Sequence, residues 1–241
     1  MSNRVCKVMS LALALHAVVA NTSSAQEVPP TEKEAGFVSM FNGKDLSGWM
    51  YLGKGTGTFS VKDGAIHYKG GGSWLCYTAK EYTDFELRCE FQLIKKGGDG
   101  GIFFRASKDS PGGGWPSKRY ELQVKDYAEQ GRLWGLPYKL DKDKVATARK
   151  KLGEWEAYRL IVIGDNVQVY LNDVLVNSSD GAKRREPGYL GLQAEGGEQA
   201  FRNLRVRIES SSGRQTLTVR ALTKPGVAVM DLRRIVLKSA S

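Results

Sequence analysis

The sequence predicts an all-β sandwich or jelly roll, on three observations. Short runs of alternating apolar and polar residues recur through one block of ~170 residues. Turn residues, glycine above all, separate those runs at a steady spacing. No amphipathic helix of three turns interrupts them. A block of this size buries a full core between two sheets.

In chain order, residues 1–25 read as a secretory signal peptide. Arg4 and Lys7 are its basic start, "VMSLALALHAVVA" its apolar run, and Ser23 and Ala25 its small residues. The run is too short and wrongly flanked for a membrane anchor, and Cys6 precedes it, which argues against a lipid anchor at that cysteine. No later segment approaches the ~20 apolar residues of a bilayer span, so a secreted or periplasmic protein without a transmembrane segment is expected. Residues 26–35, "QEVPPTEKEA", read as a linker.

Residues 36–209 form the body. "TFSVKDGAIHYKG" is two strands about the hairpin signal Asp63-Gly64. "DFELRCEFQLI", "GIFFRAS", "RYELQVKDY", "EAYRLIVIGDNVQVYLNDVLV", "GYLGLQAE" and "QAFRNLRVRI" follow, with another tight turn at Gly164-Asp165-Asn166. "LDKDKVATARKKLGEW" is the best place for one short helix. After the break "SSSGR", residues 210–241 read as a basic extension, a hairpin about Pro225-Gly226.

The chain carries 36 Lys and Arg against 26 Asp and Glu, a formal charge of +10. Much of the excess lies in the tail: Arg214, Arg220, Lys224, Arg233, Arg234 and Lys238 oppose only Asp231. The body is left weakly basic, and with export expected this argues against nucleic acid as a partner. The tail suits an anionic surface or a protein, or is a solvated extension. Cys76 and Cys89 either pair or stay as buried thiols, and Cys89 lies in phase with Phe85, Leu87 and Phe91.

Candidate chemistry comes from strand phase. In "YELQVKD", Tyr120, Leu122 and Val124 share one face, and Glu121, Gln123 and Lys125 the other. Regular alternation also sets Arg105 apart from Phe104, and groups Gln193 with Glu195. If these strands adjoin, Arg105, Glu121, Gln123, Gln193 and Glu195 converge on one side. An arginine, two carboxylates and two amides suit sugar hydroxyls, and Tyr120, Trp115 and Trp134 offer aromatic faces for ring stacking. The alternative is the ordinary polar face of an antiparallel sheet.

Spacing excludes several familiar chemistries. Laminarinase-type sandwich glycosidases set acidic residues two apart, but Gln123 follows Glu121 at that distance. His67 is the only histidine outside the signal, too few for a multi-histidine metal site, and a serine triad has little material. The glycine clusters "KGGGS" and "SPGGGW" lack the setting of phosphate cradles. No cofactor is predicted; a divalent cation such as calcium at Asp141 or Asp143 stays open, without a full loop signature.

These blocks also carry a resemblance. "FVSMFNGKDLSGW", "DGAIHYKGGGSWLCYTAKEYTDFELRCEF", "GGIFFR", "YELQVKD", "GEWEAYRLIVIGDNVQVYLNDVLV" and "GYLGLQAEGGEQAFRNLRV" occur in order and resemble the 3-keto-disaccharide hydrolase domain family, earlier a domain of unknown function. The resemblance spans residues 37–208. It implies a concanavalin A-like jelly-roll fold and exported carbohydrate processing. It further implies cleavage of 3-keto-glycosides by C2 proton abstraction, elimination and hydration, with Glu121 as base, Arg105 stabilising the enolate and Glu195 as acid or second base. Gln123 and Gln193 would hold hydroxyls, and Asn203 would be structural.

The sequence departs from many members in having Val169 where they have histidine, in lacking another histidine near Glu195, and in Asn172-Asp173 where Asn-Gly is common. A histidine-dependent metal or acid–base role is therefore in question. A non-catalytic carbohydrate-binding module on the same fold is the alternative to an enzyme. A third reading, an adhesion or scaffold domain, draws on the tail.

Overall fold

A computed structural model describes residues 28–52, 58–111, 114–126 and 130–209. The first elements are α1 (Pro30–Glu34), β1 (Val38–Ser39), β2 (Trp49–Leu52), β3 (Thr58–Lys62), β4 (Ala65–Lys69) and β5 (Ser73–Tyr82). Then come β6 (Phe85–Leu93), β7 (Asp99–Ala106), β8 (Tyr120–Lys125), β9 (Leu133–Trp134) and α2 (Lys142–Ala148). The last are β10 (Trp155–Ile163), β11 (Asn166–Leu171), β12 (Val174–Ser179), β13 (Gly188–Gly196) and β14 (Glu198–Ile208). The expected signal peptide and C-terminal hairpin lie outside the described residues.

Two antiparallel sheets face each other. The first runs β12-β11-β10-β6-β14-β4-β3 with β1 also on β14, and the second runs β2-β5-β13-β7-β8-β9. Tight turns set the hairpins. Asp63 and Gly64 have φ of 50° and 72°, and Asn172 and Asp173 have 47° and 68°, so both pairs reverse the chain in the left-handed region that matches strand twist. Asn172 makes this turn without a following glycine: its side chain accepts from Ala157 N and donates to Ala148 O at 2.8 Å each.

The apolar phase of each strand builds the core. Phe85, Leu87, Cys89 and Phe91 of β6, with Leu160 and Val162 of β10, pack with Ile102, Phe104, Leu122 and Val124 of the second sheet. Val169, which stands where many members of the resembled family have histidine, is fully buried in this core. Cys76 and Cys89 are both free buried thiols, and burial pushes each up to about 12.

The outer face of the first sheet is an ion-pair lattice. Glu86 accepts from Arg88, Arg159 and Arg207 at 2.7–2.8 Å. Residues 30–34, expected to be part of a linker, form α1 instead, and Glu32 pairs with Arg88 and Arg205 of the lattice. Burial raises the Glu32 carboxyl less than these partners lower it, and the Arg205 hydrogen bond is the largest of the influences.

The outer face of the second sheet departs from the half-wet face expected. Tyr120 through Val124 are buried on both sides of the strand. Leu52, Trp74, Cys76, Phe103 and Ala106 form a second apolar cluster there, capped by Trp115 from the connection between β7 and β8. A strand reads as amphipathic only while one face stays open to water.

Candidate active site

Strands β13, β7 and β8 adjoin, as the polar grouping required. Gly101 stands between Gln193 and Gln123, and Phe103 between Gly191 and Glu121. Glu121, Gln123 and Glu195 line one cleft of about 440 Å³ together with Trp115 and Trp134. Asp99, Arg119, Lys125 and Gly135 complete its wall. Two glycines make room on this face: a Cβ at Gly101 would collide with the Glu121 carboxyl, and one at Gly191 with the Phe103 ring. Glu121 therefore lies folded down over β7.

Glu121 is only 4% exposed, and no described group donates a hydrogen bond to its carboxyl. Burial pushes its pKa up to about 7; Arg119 pulls it down, and Asp99 and Glu195 add to the rise. A carboxyl in this state exchanges a proton near neutrality. Glu195 is exposed by contrast, and its Oε2 accepts from Gln193 Nε2 at 3.1 Å. Lys125 Nζ pairs with Asp99 at 3.0 Å, which leaves Arg119 as the cation that acts most strongly on Glu121.

Aromatic walls flank the carboxyl. Trp134 faces Glu121 across the β8–β9 pairing. Its indole N–H donates to Gln123 Oε1, and the Arg132 guanidinium stacks on the ring at 4.0 Å. Trp115 packs on Trp74 with ring centroids 5.0 Å apart, and Arg119 covers it at 4.1 Å. Gln123 Nε2 is already committed to Asp99 Oδ1 and Gly100 O. The structure thus gives Gln123 a task the sequence did not suggest, holding Trp134 and Asp99.

Arg105 does not join the cleft. Phe103 pairs with Gly191 and Ala106 with Tyr189, so β7 spends three steps where β13 spends two, and Arg105 is the extra residue at a φ of 46°. The bulge inverts the alternation and puts Ala106, not Arg105, beside Phe103. All five guanidinium N–H groups are taken: Nε donates to Thr83 O, Nη1 to Ala182 O and Arg184 O, and Nη2 to Asp84 Oδ1 and Gly164 O.

Tyr120 is also elsewhere. It packs in the core against Phe104, and its hydroxyl accepts from Arg184 N at 3.0 Å. Gln193 lies fully buried beside Glu195. Sequence reasoning missed Arg119 and Asp99 as site residues, and passed over Lys125 although its phase was right. Two-residue periodicity extended back from Glu121 reaches Arg119, and back from Gly101 reaches Asp99.

The cleft's carboxylates do not make a ready metal cage. Among the described residues no group of three or more His, Cys, Asp or Glu side chains is placed to hold an ion. Asp141, weighed as a calcium ligand, caps α2 by accepting from Lys144 N at 3.0 Å.

Residues 36–207 match the family described as the 3-keto-alpha-glucoside-1,2-lyase-like domain. The chain belongs to this family. A Bacteroides thetaiotaomicron relative, a 3-keto-disaccharide hydrolase, is 25% identical over 233 residues, covering 72% of this chain and 78% of its own. Two candidate glycosyl hydrolases of Parabacteroides distasonis share the lyase-like domain's fold. One has a TM-score of 0.61 at 21% identity and covers 76% of this chain and 99% of its own. The other has 0.56 at 24%, with 72% and 99% covered. A Bacillus subtilis carbohydrate-binding module, CBM66, follows at 0.51 and 19%, over 66% of this chain and 95% of its own. The fold is a jelly-roll sandwich of the concanavalin A type, as expected.

Proposed function

We propose that this lyase-like domain is an exported carbohydrate-active enzyme that cleaves the glycosidic bond of a sugar oxidised at C3. The observation that carries the reading is Glu121: a buried carboxyl without a hydrogen-bond partner among the described residues, with a pKa of about 7, in a cleft walled by two tryptophans. A ketone at C3 acidifies the C2 proton. Glu121 takes that proton, the C1–O bond breaks, and the departing oxygen takes a proton from Glu195. Arg119, rather than Arg105, faces the negative charge that gathers on the C3 oxygen in the transition state. The proton on Glu121 exchanges with solvent while the unsaturated intermediate is bound. Water then adds at C1, giving its proton to Glu195, while Glu121 returns a proton to C2. One water is consumed per bond cleaved and both carboxyls are restored.

This route needs one base of near-neutral pKa and no closely paired second carboxylate, which agrees with Gln123 following Glu121. Trp115 and Trp134 stack the sugar faces, and the N-terminal signal pattern supports secretion or a periplasmic location.

The test is turnover of a 3-keto-disaccharide in deuterium oxide, followed by mass spectrometry. One deuterium at C2 of the released keto-sugar, gained faster than without protein, is expected. Cleavage without that label overturns the elimination. Sugar binding with no cleavage selects the second reading, a non-catalytic binding module, which the likeness in fold to CBM66 accommodates.

A further inference from the structure

We propose that the loop of residues 134–138 is a platform for a second and third glycosyl unit, extending the cleft beyond the ring held over Glu121. Trp134 and Tyr138 are 45% and 38% exposed. Single exposed apolar residues are ordinary, but these two rings flank one guanidinium, with Arg132 Cζ 4.0 Å from the Trp134 ring and 5.7 Å from the Tyr138 ring. The stripe begins at the cleft itself, since Trp134 and Gly135 form its wall.

The loop is held rigid. Leu133 pairs with Leu122 at its start, and Lys139 N donates to Ser178 O at 2.8 Å just past its end. Between them, Gly135 turns at a φ of 82°, Leu136 is buried, and Pro137 packs so closely on Gly181 that a Cβ there would collide with it. The backbone that carries the rings is therefore set before any ligand arrives, and binding has little main chain to order. Rigid aromatic rings beside a cation match a neutral glycan: apolar sugar faces stack, and hydroxyls meet the polar edges. Continuity with the cleft selects this occupant over a protein.

The proposal rests on the reading of the cleft as a sugar site but not on elimination. The test is calorimetric titration of the full chain with unoxidised gluco-oligosaccharides of one, two and three units, in the maltose and cellobiose series. In one series affinity should rise at least tenfold from one unit to three; Tyr138→Ala should remove most of the gain and Tyr138→Phe should keep it. A flat profile, no binding in either series, or a gain that survives Tyr138→Ala overturns the platform. So does a concentration-dependent dimer in sedimentation that Tyr138→Ala abolishes, which would make the stripe a self-interface. Absence of turnover with the length dependence intact sinks the elimination and leaves the platform standing.

Discussion

Arg105 and Glu121 are buried ionisable side chains on adjoining strands of one sheet, and their surroundings are opposite. Arg105 is 2% exposed and spends every N–H on four carbonyls and the Asp84 carboxylate. Glu121 is 4% exposed and receives no hydrogen bond from any described group. Burial disfavours both charges. At Arg105 burial still lowers the proton affinity from its high ordinary value, with Asp84 working against it, and the fully bonded residue ties β7 to the corner at Thr83, the turn at Gly164 and the segment at Ala182–Arg184. At Glu121 the charges of Arg119 and Lys125 offset it only in part, so the remainder shows as a raised proton affinity. The two differ in their partners, not in their depth.

The sharpest way to break the contrast is Glu121→Gln. Turnover of a 3-keto-glucoside should fall roughly 10²–10⁴-fold, while the melting temperature at neutral pH does not drop. A variant that keeps full turnover would remove Glu121 from the chemistry.

Arg105→Met should do the reverse. It leaves Asp84 and four carbonyls without their donor, and urea denaturation should show a loss of about 3–5 kcal/mol. Activity per folded molecule should stay within a few-fold. A stability change under about 1 kcal/mol would mean that water replaces the guanidinium.

A smaller effect separates the two by pH. The folded pKa of Glu121, about 7, lies above its usual 4.5. Its protonated form therefore stabilises the fold below pH 4.5, and that contribution is lost as pH rises through 7, by roughly 3 kcal/mol. Activity should rise through the upper part of this window, because the proposed proton abstraction needs the carboxylate. Unfolding curves from pH 5 to 8 should show the slope in the wild type and a flatter one in Glu121→Gln. Equal slopes would place the carboxyl's titration elsewhere.

Much of this was legible in the sequence. Two-residue alternation put Glu121, Gln123 and Glu195 on one side because β8 and most of β13 are regular. It failed at Arg105 because a left-handed bulge at a non-glycine residue leaves no trace in the pattern. Tyr120 was named for nearness to Glu121 along the chain, although its phase already sent it inward. The cover over the second sheet was hidden for another reason: where Trp115 lands depends on the path of a long connection, which no local pattern encodes. Strand order was likewise silent, since pairing across many residues is decided by packing. The tight turns at Asp63-Gly64 and Gly164-Asp165 were plain, because few residues tolerate such backbone angles.

Gly101 has a consequence for how relatives are judged. Its backbone is ordinary, so the codon is free to drift as far as local conformation is concerned. Yet the smallest side chain placed there would occupy the space of the Glu121 carboxyl. A descendant of this chain could keep every acid, cation and tryptophan of the cleft and still lose the position of the Glu121 carboxyl through a single methyl group. An inventory of polar residues would score such a protein as intact. Under the proposed elimination, inheritance of the activity is written as much in a missing carbon at residue 101 as in the carboxylate at 121.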